Sequence, residues 1–142
     1  MIGYLDTSAF VPLLVTEPGS ALCQRFWDDA DSVASCRLMY VETAAALAQA
    51  VRIGRIRVPD REAVLASLDE LWASMNHVEV DDALVRDAAA LAHDHGLRGD
   101  DAVHCASARQ LLDHDLVAAS GDRNLLSAWR LLGLAVLDTS SS

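Results

Sequence analysis

The chain has 142 residues, its acids outnumber its bases 21 to 11, and its formal net charge at pH 7 is −10. All 11 basic residues are arginine, which excludes a P-loop lysine and a Schiff-base lysine and disfavours the phosphoaspartate chemistries that need a lysine. Hydrophobic residues make up 52%, the apolar runs are too short to cross a bilayer, and the acidic excess argues at first sight against a nucleic-acid partner.

The length suits one domain, residues 1–142, with no repeat and no Gly/Pro-rich linker. Short apolar runs alternate with helical periodicity. Residues 2–5 read as a strand and 7–14 as a short helix; Pro18-Gly19 breaks the chain before a helix over 20–30. A strand over 32–35 leads into a long Ala-rich helix over 38–53, stopped by Gly54. Pro59-Asp60 opens a further helix reaching Met75, with Asp60 as its N-cap, and 78–80 reads as a strand. Asp81 or Asp82 caps a helix to His95, with Gly96 as its C-cap. A helix over 100–113, a strand over 116–119, a helix over 123–132 and a strand over 135–137 complete the chain. This alternation predicts a three-layer α/β/α fold around a mostly parallel sheet of four or five short strands.

The N-terminal Met1-Ile2-Gly3-Tyr4-Leu5-Asp6 has neither a basic region nor a long apolar one, so no signal peptide is visible and a cytoplasmic place is expected, with no membrane contact. Cys23, Cys36 and Cys105 are odd in number and widely spaced, and read as buried thiols in a reducing compartment.

Open α/β sheets place their sites at the carboxyl ends of strands. Asp6 follows the first strand, Asp122 follows the strand over 116–119, and Glu42 lies in the first turns of the helix after 32–35. Each has an ordinary reading as a helix cap or first-turn acid. Asp6 stands apart, because a carboxylate after a central buried strand is costly unless capped, paired or metal-bound. Asp100 and Asp101 open a small-residue helix about 100° apart, so Asp100 is assigned to capping or solvent and Asp101 to the pocket. Four converging carboxylates need raised pKa values or bound cations, and an oxygen-only set selects Mg²⁺ or Mn²⁺ over zinc.

Four segments, Leu5-Asp6-Thr7-Ser8-Ala9, Glu42-Thr43-Ala44-Ala45-Ala46-Leu47, Asp101-Ala102-Val103-His104-Cys105-Ala106-Ser107-Ala108 and Ser120-Gly121-Asp122-Arg123-Asn124-Leu125, resemble in this order the motifs of a PIN domain. The compact chain is similar to the VapC-type toxins of toxin–antitoxin pairs. The resemblance spans nearly the whole chain. It implies a Mg²⁺- or Mn²⁺-dependent endoribonuclease, inhibited by a VapB-like antitoxin and acting as a homodimer or within a toxin–antitoxin hetero-oligomer. By position Asp6, Glu42, Asp101 and Asp122 match the acidic quartet, with Asp6 and Asp101 the principal metal ligands. Thr7 and Ser8 match the hydroxyl position beside the first aspartate. Cys105, where an aliphatic residue is usual, and the extra Asp100 depart from the pattern.

His93, His95, His104 and His114 lack a partner cluster; His104, three residues after Asp101 on the same side, either approaches the pocket or, the commoner case, packs in the helix. Trp27, Trp72 and Trp129 read as core or interface anchors. Arg52, Arg55 and Arg57, with Arg98, Arg123 and Arg130, are either a solvated rim or phosphate forks; Arg98 and Arg123 are the candidate RNA or antitoxin contacts. Two other readings stand beside the ribonuclease. One is a haloacid-dehalogenase-like phosphohydrolase, weakened because Asp6-Thr7-Ser8 lacks a second aspartate. The other is a degenerate scaffold that only binds RNA or protein.

Overall fold

The computed structural model describes residues 1–113 and 115–140, so His114 and the terminal Ser141-Ser142 lie outside the described residues. Strands β1 (Ile2–Leu5), β2 (Ser32–Cys36), β3 (Asn76–Val78), β4 (Leu116–Ser120) and β5 (Ala135–Asp138) form one sheet in the order β3-β2-β1-β4-β5. Every pairing in it is parallel. The helices are α1 (Thr7–Phe10), α2 (Ser20–Asp29), α3 (Leu38–Arg52), α4 (Arg61–Ala73), α5 (Asp82–His95), α6 (Gly99–Gln110) and α7 (Arg123–Leu131).

Strand side chains alternate between faces, and here both faces are apolar. Tyr4, Ala34, Cys36 and Ala118 pack with Leu84 and Leu91 of α5, Cys105 of α6 and Trp129 of α7. Leu5, Val33 and Ala119 pack with Phe10, Phe26, Leu47 and Leu68 from the helices between Thr7 and Ala73. The result is the expected α/β/α layering. Gly3 is required by the close approach of α2: a Cβ there would stand 2.9 Å from Cζ of Phe26. No helix among the described residues is long and apolar enough to cross a membrane. The three cysteines are free and buried.

Three sequence expectations need correction. The strand expected over 78–80 is β3, two residues earlier, in register with Ala34 to Cys36. Pairing with β2 decides its extent, and Arg37 N donates to Val78 O at 3.0 Å to close it, leaving Val80 outside the sheet. Asp60 does not cap α4: it ends a short 3-10 turn (Val58–Asp60) in right-handed helical geometry and makes no capping bond. Of the two roles offered for Asp100, capping fails and solvent exposure holds. The helix starts at Gly99 behind an extended Arg98, so Asp100 already lies within its first turn. Elsewhere the capping expectations hold: Asp81 Oδ1 accepts from Leu84 N at 2.9 Å, and Gly96 takes the left-handed φ of 64° that ends α5.

The chain enters at the middle of the sheet, adds β2 and β3 on one side, then returns to add β4 and β5 on the other. The switch point therefore falls beside β1, and the residues beyond its carboxyl end face an open crevice.

Candidate active site

Asp6 is the first residue beyond β1. Its extended backbone (φ −79°, ψ 178°) makes it the N-cap of α1. Its Oδ1 accepts from Ala9 N at 3.0 Å and Ser8 Oγ at 2.7 Å, and its Oδ2 accepts from Ser120 Oγ at 2.7 Å. Asp122 plays the same part beyond β4, its Oδ1 accepting from Leu125 N at 3.0 Å at the start of α7. The ordinary reading of both as helix caps is therefore correct, and incomplete. Both also line a cleft of about 610 Å³ together with Glu42 of α3 and Asp101 of α6. Thr7, Ser8, Val11, Glu17, Ala46, Asp100 and His104 complete its wall. All four acids singled out in the sequence thus meet in one crevice at the switch point.

The charges in this cleft are poorly compensated. Burial drives the Asp6 carboxyl above its ordinary range despite the nearby His104 and three hydrogen bonds that favour ionisation. Asp101, half-buried in the first turn of α6, is pushed up to about 6 by burial and then by the negative charges of Asp122, Asp100 and Asp6. Glu42 moves the other way. Burial would raise it, but the hydrogen bond and charge of His104, with the Thr7 hydroxyl, hold it below the usual range. Among the described residues, no three His, Cys, Asp or Glu side chains form a group that could hold an ion. The carboxylates ring the cleft instead. An oxygen-rich wall with surplus negative charge fits a hard divalent cation better than zinc.

Thr7 Oγ1 donates to Glu42 Oε1 at 2.8 Å. Ser8 Oγ donates to Asp6 and accepts from Gly121 N at 2.8 Å, tying α1 to the turn after β4. The candidate contacts Arg98 and Arg123 are exposed at the starts of α6 and α7, and neither lines the cleft. Arg55 pairs with Glu17 of the cleft wall at 3.6 Å and donates to the Thr16 carbonyl at 3.2 Å. His93 and His95 lie on α5 away from the cleft, and Trp27, Trp72 and Trp129 take no part in it.

Sequence reasoning missed two residues of this site, Ser120 and Glu17, and set a third, His104, behind a packing role. Ser120 bridges Asp6 and the backbone of Asp122, its Oγ accepting from Asp122 N at 2.9 Å; its place at the end of β4 was the available signal. Glu17 sits in a loop, where no periodicity points to it. His104 is packed, as expected, at 2% exposure, but it also reaches the cleft, its Nε2 lying 2.7 Å from Glu42 Oε1. The three-residue spacing from Asp101, which places both on one helix face, was the clue.

A family model described as PIN domain matches residues 3–128. The ribonuclease VapC49 of Mycobacterium tuberculosis is 41% identical over 133 residues, covering 94% of this chain and 92% of that protein. The crystal structure of PAE2754 from Pyrobaculum aerophilum superposes with a TM-score of 0.73 at 22% identity, covering 99% of this chain and 91% of that one. A toxin–antitoxin complex from Klebsiella pneumoniae contains a chain that superposes with a TM-score of 0.62 at 14% identity, covering 96% and 97% respectively.

Proposed function

The chain belongs to the PIN-domain family, and from that premise we propose that it is the toxin of a toxin–antitoxin pair, an endoribonuclease that hydrolyses RNA phosphodiesters with the aid of Mg²⁺ or Mn²⁺. One observation carries the reading: Asp6, Glu42, Asp101 and Asp122, drawn from four separate segments, line one crevice, where burial raises Asp6 and burial with neighbouring acids raises Asp101. Asp101 caps nothing, and with Asp6 it would hold the ion. Glu42 and Asp122 would complete the set or orient the attacking water. When bound, a divalent ion supplies Lewis acidity toward the phosphate and a lowered pKa for water.

The chain's own contribution is positioning. Ser8, Ser120 and Ala9 N fix Asp6, Leu125 N fixes Asp122, and Thr7 fixes Glu42. Water would attack in line, with no covalent enzyme intermediate. The phosphohydrolase reading fits less well: Asp6 is 4% exposed and both its oxygens accept hydrogen bonds, which suits a ligand better than a nucleophile. Arg98 and Arg123 would grip RNA or an acidic segment of a VapB-like antitoxin, and a homodimer or a hetero-oligomer with that antitoxin is the proposed assembly. The resemblance in fold to a chain of a toxin–antitoxin complex supports the partner.

The test compares RNA cleavage by purified wild type and Asp6→Asn with Mg²⁺, Mn²⁺ or EDTA. Asp6→Asn should fall by about a hundredfold or more, the scale on which removing one charge-stabilising group costs. Equal rates in the two proteins would sink the site. Sequencing RNA 5′ ends in cells after brief induction, against the same control, identifies the RNA that is cut.

A further inference from the structure

His104 belongs to none of the roles above, yet both its ring nitrogens are engaged and one of them reaches the cleft. It lies on α6, one turn after Asp101, on a buried stretch otherwise made of Ala102, Cys105, Ala106, Ser107 and Ala108. A buried imidazole among small residues is costly unless both ring nitrogens find partners. Here both do. Nε2 donates to Glu42 Oε1 at 2.7 Å, and Nδ1 shares a hydrogen bond with the Tyr4 hydroxyl at 2.9 Å, with Cys36 Sγ 3.7 Å away. Tyr4 is itself wedged in the core, fully buried and edge-on to Trp129 with ring centroids 5.9 Å apart. A rigid line therefore runs from the core through Tyr4 and His104 to the Glu42 carboxylate.

We propose that His104 is a positioning residue for the ribonuclease reaction: it fixes the Glu42 carboxylate by a hydrogen bond whose direction Tyr4 sets from behind. Thr7 Oγ1, at 2.8 Å, and His104 Nε2 both donate to Oε1, so that oxygen is held from α1 and α6 at once. The other oxygen, Oε2, carries neither of these bonds, and Asp100 of the cleft wall also hydrogen-bonds the Glu42 carboxyl. The inference rests on the ribonuclease reading of the cleft. It goes further in naming the side chain that sets the aim of one carboxylate. Such supporting hydrogen bonds, when lost, typically cost about 10–100-fold in activity or metal affinity.

The experiment uses the full chain as wild type, Asp6→Asn, Tyr4→Phe, His104→Leu and His104→Gln. Each is measured for thermal midpoint, for kcat and KM on a fluorogenic RNA with Mn²⁺, and for Mn²⁺ affinity by calorimetry without RNA. His104→Leu should lose about 10–100-fold in kcat or Mn²⁺ affinity with KM for RNA little changed. His104→Gln, whose amide N–H can reach Oε1, should recover much of that loss, and Tyr4→Phe should fall between. In ¹⁵N-histidine spectra of the metal-free protein, the hydrogen-bonded His104 Nε2–H signal should move on Glu42→Gln. Three results would overturn the proposal. If His104→Leu matches wild type while Asp6→Asn is inactive, the positioning role fails and the ribonuclease reading survives. If His104→Leu and His104→Gln are equally impaired and both melt early, the histidine serves packing alone. If wild type and Asp6→Asn are both inactive, the ribonuclease reading fails and takes this role with it.

Discussion

At the scale of single residues, the cleft stores an electrostatic cost that function explains and folding does not. Asp101 titrates near 6 in the folded chain, against an ordinary value of 3.8. A folded pKa raised above the unfolded one means stability fully present below the unfolded value and lost as pH rises through the folded one. Asp101→Asn should therefore stabilise the metal-free protein at pH 7, and the gain should vanish as pH falls through the window from about 6 to about 4. Because Asp101 is partly exposed, solvent screening cuts the gain to about 1 kcal/mol, or roughly 3 °C in Tm. Thermal melts of both proteins at pH 4 and pH 7, with and without Mn²⁺, decide the point. The ion should stabilise wild type more than the variant and reverse their order. A variant no more stable than wild type at pH 7 without metal would remove the charge-crowding argument. Buried Asp6, also raised, follows the same sign.

At the scale of elements, two of the four acids do double duty, and substitution can separate the duties. Asp122 and Asp81 cap their helices by the same geometry, at 3.0 and 2.9 Å, but only Asp122 lines the cleft. Asp122→Ala should cost about 1 kcal/mol in urea unfolding and also abolish cleavage. Asp122→Ser keeps a capping oxygen, so stability should stay near wild type while cleavage is still lost. Asp81→Ala should lose the same ~1 kcal/mol and leave cleavage intact. If Asp122→Ser remains active, Asp122 is a cap and nothing more. This doubling explains what was legible in advance. Positions after apolar strands revealed Asp6 and Asp122, because capping and the crevice at strand ends are both local consequences of chain direction. Layer order and the central place of β1 followed from alternation. Not legible were contacts set by tertiary approach: the two-residue shift of β3 by its register with β2, and the pairing of His104 with Glu42, 62 positions apart. No periodicity encodes a partner at that distance.

At the scale of the whole molecule, a net charge of −10 first argues against nucleic acid, and the distribution of that charge reverses the argument. Six acids, Asp6, Glu17, Glu42, Asp100, Asp101 and Asp122, line one cleft, where bound cations would offset them. Outside it, with no lysine in the chain, phosphate contacts fall to arginine, whose planar fork suits phosphate oxygens. RNA affinity should therefore be conditional on the ion. A 2′-O-methyl oligonucleotide, checked by gel to remain intact, should bind weakly in EDTA and at least about tenfold tighter with Mn²⁺, because the ion lessens the repulsion a phosphate meets at the crevice and offers it a ligand position. The salt dependence should be shallow, since two arginines, Arg98 and Arg123, are the ones assigned to the strand. Each of Arg98→Ala and Arg123→Ala should lower the slope of log affinity against log salt by about 0.7, the share of one phosphate contact on a single strand. Fluorescence anisotropy across a salt series reads both quantities. An affinity indifferent to Mn²⁺ would place the RNA away from the acidic crevice, whereas unchanged slopes in both arginine variants would move the phosphate contacts to other residues, Arg55 beside Glu17 first among them.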